Sequence, residues 1–245
     1  FDRDELSRKS RLYLKFRPLE SYEVRLKKFE DRMLGNWYKR DNRLEKESGL
    51  HRDISKRTLK SLLSDLRYEA KQDLEGACRD FFAEFVLAQN HYAGETNWMD
   101  TSPPNIMNAK NIFRLLPSAK FIEMQRNPLD TIASVMREKW GPSDFDSTAK
   151  WWVRRTEAAA SALENVPRDQ KLIIQLEDLV IHDRDATYQK ILDFLDLEDE
   201  NEVRDFFNSQ MNAQNLNENR WMKDFSNPED MLERFQKITE ARQKE

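Results

Sequence analysis

The chain has 245 residues, 38% apolar and 35% charged, with 41 basic against 45 acidic side chains for a net charge of −4. That length buries a core without disulfide or metal support, six Trp and fourteen Phe exclude a disordered chain, and the near balance of charge excludes a globally basic nucleic-acid binder. The single cysteine, Cys78, excludes an intrachain disulfide and fits a reducing, cytoplasmic setting; no run approaches the ~18 apolar residues of a membrane span and no signal peptide is visible.

In chain order, Leu19, Tyr22, Leu26, Phe29 and Met33 recur every three to four residues, which predicts an amphipathic helix over Leu19 to Leu34 with a solvated Arg and Lys face. Asp41 to Lys56 is polar, contains Gly49, and reads as a loop or a short helix. From Lys56 to Ala88 a stripe of Leu59, Leu62, Leu63, Leu66, Ala70, Leu74, Ala77, Cys78, Phe81, Phe82 and Phe85 predicts one long helix, weakened or interrupted at Gly76. The first 90 residues are therefore expected to be mainly helical.

The character then changes. Asn97 to Thr101 predicts a short strand running into the Ser102-Pro103-Pro104 loop, and Asn105 to Leu116 a helix ended by Pro117. Lys120 to Gln125 reads as a buried strand, after which Asn127 and Pro128 open a helix by a favoured N-cap and first position. That helix runs to about Lys139 and gives way to Trp140-Gly141-Pro142. Asp146 to Asn165 is a long helix whose Trp151 and Trp152 are expected to pack; Lys171 to Leu176 is a further strand; Tyr188 to Leu195, Glu200 to Asn208 and Pro228 to Ala241 are helices. Strands alternating with helices predict an α/β fold, a parallel sheet covered on both faces.

Arg126 falls at the carboxyl end of the second strand and Ser134 two turns into the next helix. Ligands of open α/β sheets bind there, where the first helical turn offers N–H groups and a positive dipole end. Arg brings a planar fork matched to phosphate oxygens, and the four-residue spacing of 126, 130 and 134 sets Ser134 on about the same side. Spacing alone equally allows a bland reading, in which Arg126 pairs with Asp130 and Ser134 only packs.

The segments Trp98 to Asn105, Leu116-Pro117-Ser118-Ala119-Lys120-Phe121-Ile122, Arg126-Asn127-Pro128-Leu129-Asp130 and Ala133-Ser134 resemble the central region of sulfotransferases that use 3′-phosphoadenosine 5′-phosphosulfate (PAPS). Lys139 to Pro142 with Ala149 to Trp152, Leu172 to Leu179, Ile191 to Leu195 and Asn219-Arg220-Trp221 extend the resemblance over about residues 97–240. It implies a P-loop NTPase-like three-layer α/β/α domain with a parallel sheet and a helical N-terminal region. In that single domain of 1–245, residues 1–96 would shape the acceptor pocket, 97–199 the cofactor core, and 200–245 the C-terminal helices and a cofactor-covering loop. The resemblance implies that Arg126 and Ser134 bind the 3′-phosphate and that Arg220 binds the cofactor from a basic covering loop. The reaction implied is sulfuryl transfer from PAPS to a small-molecule or carrier-linked hydroxyl or amine, leaving 3′,5′-bisphosphate adenosine (PAP), with no metal. Glu177 and Asp178 are given a structural hydrogen-bonding role.

The chain also departs from the family. None of its five glycines stands in a Ser-Gly-Thr or Gly-Lys-Ser/Thr context, so the loop that cradles the 5′-phosphosulfate is missing, and with it the first strand. Since the chain begins at Phe1, a missing upstream segment is the favoured expectation, and a degenerate relative that binds without catalysing is the alternative. Thr101 stands where the family has a Lys, and Leu176 where it has an aromatic residue. No His falls at the family's catalytic position, which leaves Asp100 and His51 as the candidate bases. The rivals are a non-catalytic nucleotide-binding relative, a P-loop phosphotransferase, whose Gly-Lys-Ser/Thr loop is not found, and a helical interaction protein built on residues 1–90.

Overall fold

The structure is a computed structural model that describes residues 21–39, 49–93, 97–214, 216 and 218–243. The chain divides into two compact units, Phe1–Asp100 and Thr101–Glu245.

The first unit is helical. Helix α1 (Tyr22–Leu34) presents the expected stripe, Leu19 lying outside the described residues. A 3-10 turn, Leu50–Arg52, follows Gly49, whose φ of 131° only glycine adopts easily; a Cβ there would stand 2.6 Å from the Tyr38 carbonyl oxygen. Residues 41–48 of the predicted 41–56 loop are outside the described residues. The single long helix expected from Lys56 is two helices, α2 (Lys56–Glu69) and α3 (Leu74–Ala93). The break is Asp73: its carboxylate accepts the Gly76 N–H at 2.9 Å and caps a new helix start, a competing local bond that apolar periodicity does not reveal. Met33, Ile54, Leu59, Leu63, Leu66, Phe81 and Phe85 form the core. One charge enters it. Glu30 is 2% exposed, and Arg67 donates from Nε to its Oε1 at 2.8 Å and from a second nitrogen to Oε2.

The strand expected over Asn97 to Thr101 is not formed; the segment is irregular. Trp98 instead packs edge-on to Phe82 of α3, ring centroids 5.3 Å apart, and donates its indole N–H to Gln89 Oε1 at 3.0 Å. A Trp finds an apolar face and an acceptor on the helix, whereas Pro103 and Pro104 would break a ladder.

The second unit begins with a 3-10 turn (Ile106–Asn108) and helix α4 (Ala109–Leu115), then β1 (Phe121–Gln125), α5 (Pro128–Met136) and α6 (Phe145–Leu163). Strand β2 (Lys171–Gln175) runs straight into a π-helical turn (Asp178–His182) and helix α7 (Arg184–Leu195). Helices α8 (Asn201–Gln210), α9 (Trp221–Asp224) and α10 (Pro228–Gln243) complete it. The two strands are parallel, in register from Phe121↔Lys171 to Gln125↔Gln175. Side chains alternate across them. Ile122, Leu172 and Ile174 face a cluster with Tyr188, Leu192 and Phe207 of α7 and α8, while Phe121 packs on the other face with Ala109, Ala162 and Leu163. Helices thus cover both faces, but the sheet has only two strands among the described residues, smaller than the alternation of elements predicts.

A third cluster joins α5, α6 and α9 through Leu129, Ile132, Ala133, Phe145, Ala149 and Trp221, with Met231, Phe235 and Ile238 of α10 packed against it. Ile132 is fully buried, as is Ala149, and the Ile132 side chain alone contributes about 2–3 kcal/mol by leaving water. This packing carries the chain that follows α8 back onto α5. Trp152, predicted to pack, meets Phe235 of α10 at 5.6 Å.

Candidate functional site

The carboxyl end of β1 is built by a short run of local rules. Asn127 caps α5: its side-chain oxygen accepts the N–H of Leu129 at 2.9 Å and of Asp130 at 3.3 Å, and Pro128 at the first position has no N–H to satisfy. Thr131 N–H bonds the Asn127 carbonyl at 3.0 Å. The first-turn N–H groups of α5 are therefore already engaged. This corrects the expectation that they are offered to an anion, and leaves the helix dipole and the side chains to do that work. The turn is also tied to the second strand, because the Asn127 backbone N–H donates to Glu177 Oε1 at 2.9 Å. Glu177, just past β2, holds the structural hydrogen-bonding role expected of it. Arg126 immediately precedes this anchored residue and is half-buried.

Asp130 is the centre of the arrangement. It is 3% exposed, and its two oxygens accept different backbone groups: Oδ2 from the N–H of Asn219 at 2.8 Å, Oδ1 from the N–H of Trp221 at 3.0 Å. Asn219 has a φ of 54°, the left-handed region that Asn tolerates, and that turn aims both N–H groups at one carboxylate. The buried charge is stabilised by these bonds and by the positive end of α5. Arg220, between the two bonded residues, is thereby brought to the first turn of α5. Ser134 lies one turn further along the same face as Asp130, at the i,i+4 spacing of helix neighbours.

The electrostatics near Arg220 are shared. Asp224 of α9 pairs with Arg137 at the end of α5, and at 3.4 Å with Arg220. Burial raises the Asp224 carboxyl, the guanidiniums of Arg137 and Arg220 outweigh it, and the group lies below its ordinary value. At the start of the same loop, Glu218 meets His182 of the π-helical turn at 3.0 Å. The Trp221 indole N–H is buried with no acceptor among the described residues.

The sequence-predicted residues fall into two groups. Arg126, Ser134 and Arg220 are all in the second unit, Arg126 and Ser134 on the β1–α5 segment and Arg220 in the loop whose backbone Asp130 of α5 holds. A guanidinium fork, a hydroxyl and a second guanidinium on a rigid turn can grip a multiply charged oxyanion by charge-assisted hydrogen bonds. Asp100 and His51 belong to the first unit. Asp100 is exposed in the irregular segment. His51 is half-buried in the 3-10 turn, its Nδ1 2.9 Å from the Tyr38 carbonyl oxygen. A carbonyl only accepts, so Nδ1 carries the proton and Nε2 is the basic nitrogen of the neutral ring. Sequence reasoning missed the role of Asp130, which it considered only as an ion-pair partner for Arg126. The available signal was an acid at the third helical position, whose side chain is free to serve another segment once Asn127 caps the helix.

A cleft of about 430 Å³ lies elsewhere in the unit, lined by Val180, Ile181, Arg184, Asn212, Ala213 and Gln214. Its one cation, Arg184, is committed to the carbonyls of Met211 at 2.8 Å and Phe207 at 3.4 Å. Among the described residues no cluster of His, Cys, Asp and Glu is placed to hold a metal, and no helix is long and apolar enough to cross a membrane.

No curated protein and no solved structure matches the chain. The model of the Sulfotransferase family matches residues 16–201, a span that contains β1, the Asn127 cap, Arg126, Asp130, Ser134 and Glu177 and stops short of Arg220. Matched over more than half its length, across the β1–α5 strand-to-helix turn, the chain belongs to the sulfotransferase family.

Proposed function

We propose that this chain is a PAPS-dependent sulfotransferase of P-loop NTPase-like fold that grips the 3′-phosphate of the nucleotide with Arg126, Ser134 and Arg220. The observation that supports this reading is the buried Asp130 carboxylate bonded to the backbone on both sides of Arg220, which ties the Arg220 loop to the helix that follows Arg126 and carries Ser134. The donor set fits a phosphate dianion: two guanidiniums and a hydroxyl, with backbone N–H groups of α5 already used. The 5′-phosphosulfate has no matching Ser-Gly-Thr cradle in these 245 residues.

Bound PAPS would supply the sulfuryl group, passed in line to a hydroxyl or amine of a small-molecule or carrier-linked acceptor, with PAP as the leaving product. The chain's own tasks are to orient the nucleotide through its 3′-phosphate and to take the acceptor's proton. Asp100 and His51 are the proposed bases, His51 through Nε2. No metal is assigned a task.

The test is calorimetric titration with PAP. Wild type should bind, and Arg126→Ala should weaken binding by roughly ten- to a hundredfold, the scale of a lost charge-assisted contact. Absence of binding by wild type would falsify the nucleotide reading. A second reading, a nucleotide binder that does not transfer, is favoured by the missing Ser-Gly-Thr cradle. Labelled sulfuryl transfer from PAPS to a panel of hydroxyl and amine acceptors separates the two: product with any acceptor excludes the second reading.

A further inference from the structure

We infer that Asp130 is a positioning residue for the nucleotide's 3′-phosphate, acting through Arg220 and without touching the ligand. The inference rests on the reading of the site given above. Its basis is that one buried carboxylate holds the N–H of residues 219 and 221 at 2.8 and 3.0 Å while residue 220 between them is left with its side chain outward, 48% exposed. A clamp on both sides of a single residue fixes where its Cα stands, and so limits the directions in which its guanidinium can reach.

Three further features support positioning over simple packing. Asp130 shares its helix face with Ser134, so the clamp sets Arg220 beside a second phosphate donor on the same rigid helix. The left-handed Asn219 is a conformation that non-glycine residues seldom adopt, and here it is what turns both N–H groups toward Asp130. Finally, Asp224, itself paired with Arg137 at the end of α5, holds the Arg220 side chain near α5, so a phosphate arriving at Arg126 and Ser134 meets a pre-placed cation. Preorganisation of this kind lowers the ordering cost of binding.

Asp130→Asn keeps the side-chain volume and one acceptor oxygen, but sets an NH₂ against one of the two backbone N–H groups. The experiment measures, for the full chain, the ratio of affinities for PAP and for adenosine 5′-monophosphate, which lacks the 3′-phosphate. In wild type that ratio should exceed roughly tenfold. Asp130→Asn should lower it by about tenfold, with adenosine 5′-monophosphate binding unchanged. In an Arg220→Ala background the same substitution should have no further effect on the ratio.

Several results overturn the inference. A wild-type ratio in Asp130→Asn removes the positioning role and leaves the nucleotide reading intact. An equal loss for both nucleotides means general damage, and additive losses in the double variant mean that Asp130 does not act through Arg220. Failure of wild type to bind PAP removes the reading and the inference together. Backbone hydrogen exchange in unliganded wild type is an independent check: Asn219 and Trp221 amides should be protected, and rapid exchange at both would end the claim whatever the variants do.

Discussion

Replacing Asn127 separates the stability of the β1–α5 turn from its charge. The side chain satisfies two first-turn N–H groups, of Leu129 at 2.9 Å and of Asp130 at 3.3 Å. Both residues are buried, 4% and 3% exposed, so water does not readily replace the lost acceptor. Asn127→Ala should therefore cost at the upper part of the capping range, about 1.5 kcal/mol, which for a unit of this size lowers the thermal midpoint by about 4 °C. Asn127→Asp keeps the acceptor and adds a negative charge at the positive end of α5. Its stability should equal or exceed wild type by up to about 1 kcal/mol, yet its affinity for PAP should fall severalfold through repulsion of the phosphate. Thermal unfolding by circular dichroism, urea denaturation and calorimetry read the three quantities. An unchanged midpoint in Asn127→Ala would refute the cap. Equal destabilisation by Ala and Asp would refute the role of the acceptor oxygen, and undiminished PAP binding by Asn127→Asp would place the phosphate away from this turn.

Ile132, fully buried at the junction of α5, α6 and α9, should lose about 3–4 kcal/mol on truncation to Ala and about 1 kcal/mol on change to Val, measured as the urea midpoint at constant slope. Asp224 has a folded-state pKa below its ordinary value, so the stability it contributes is present above the unfolded carboxyl pKa and is lost as pH falls through the folded one, below about pH 4. Asp224→Asn should shallow that acid limb in a pH series of unfolding curves; an unaltered limb counts against the shared pairing with Arg137 and Arg220. In the first unit Glu30 is buried and Arg67 largely exposed. Arg67→Ala should consequently destabilise more than Glu30→Met, because only the former strands a charge in the core, and the reverse order by denaturant titration would contradict that account.

Local rules account for what the sequence made legible. Asn127-Pro128 announces the start of α5, the Leu and Phe stripe announces the core of the first unit, and Arg126 sits where the fold places it, immediately after β1. The features that escaped depend on partners distant in sequence or on competition between local bonds. Asp73 ends one helical stripe and begins another with a single side-chain bond. Trp98 could serve a strand or a helix face equally well by composition, and Gln89 and Phe82 decide it. The short helix α9 has four residues and no apolar period of its own; it exists because Trp221 is buried against α5 and its N–H is held by Asp130.

The Asp130 clamp also bears on the order in which the molecule assembles. It joins positions 89 and 91 residues apart, and closing a loop of that length costs about 4 kcal/mol in chain entropy beyond a constant term. Two hydrogen bonds to a charged acceptor return about 3–6 kcal/mol, so the clamp on its own is near break-even and waits for Trp221 to enter the core. The proposed grip on the nucleotide would then be a late product of folding, made only when the C-terminal helices dock, and the Asn219 and Trp221 amides should gain exchange protection together with Trp221 burial in pulse-labelled refolding. A chain that has formed its strands but not yet seated α9 would carry Arg126 and Ser134 in place and offer a phosphate two of the three proposed donors.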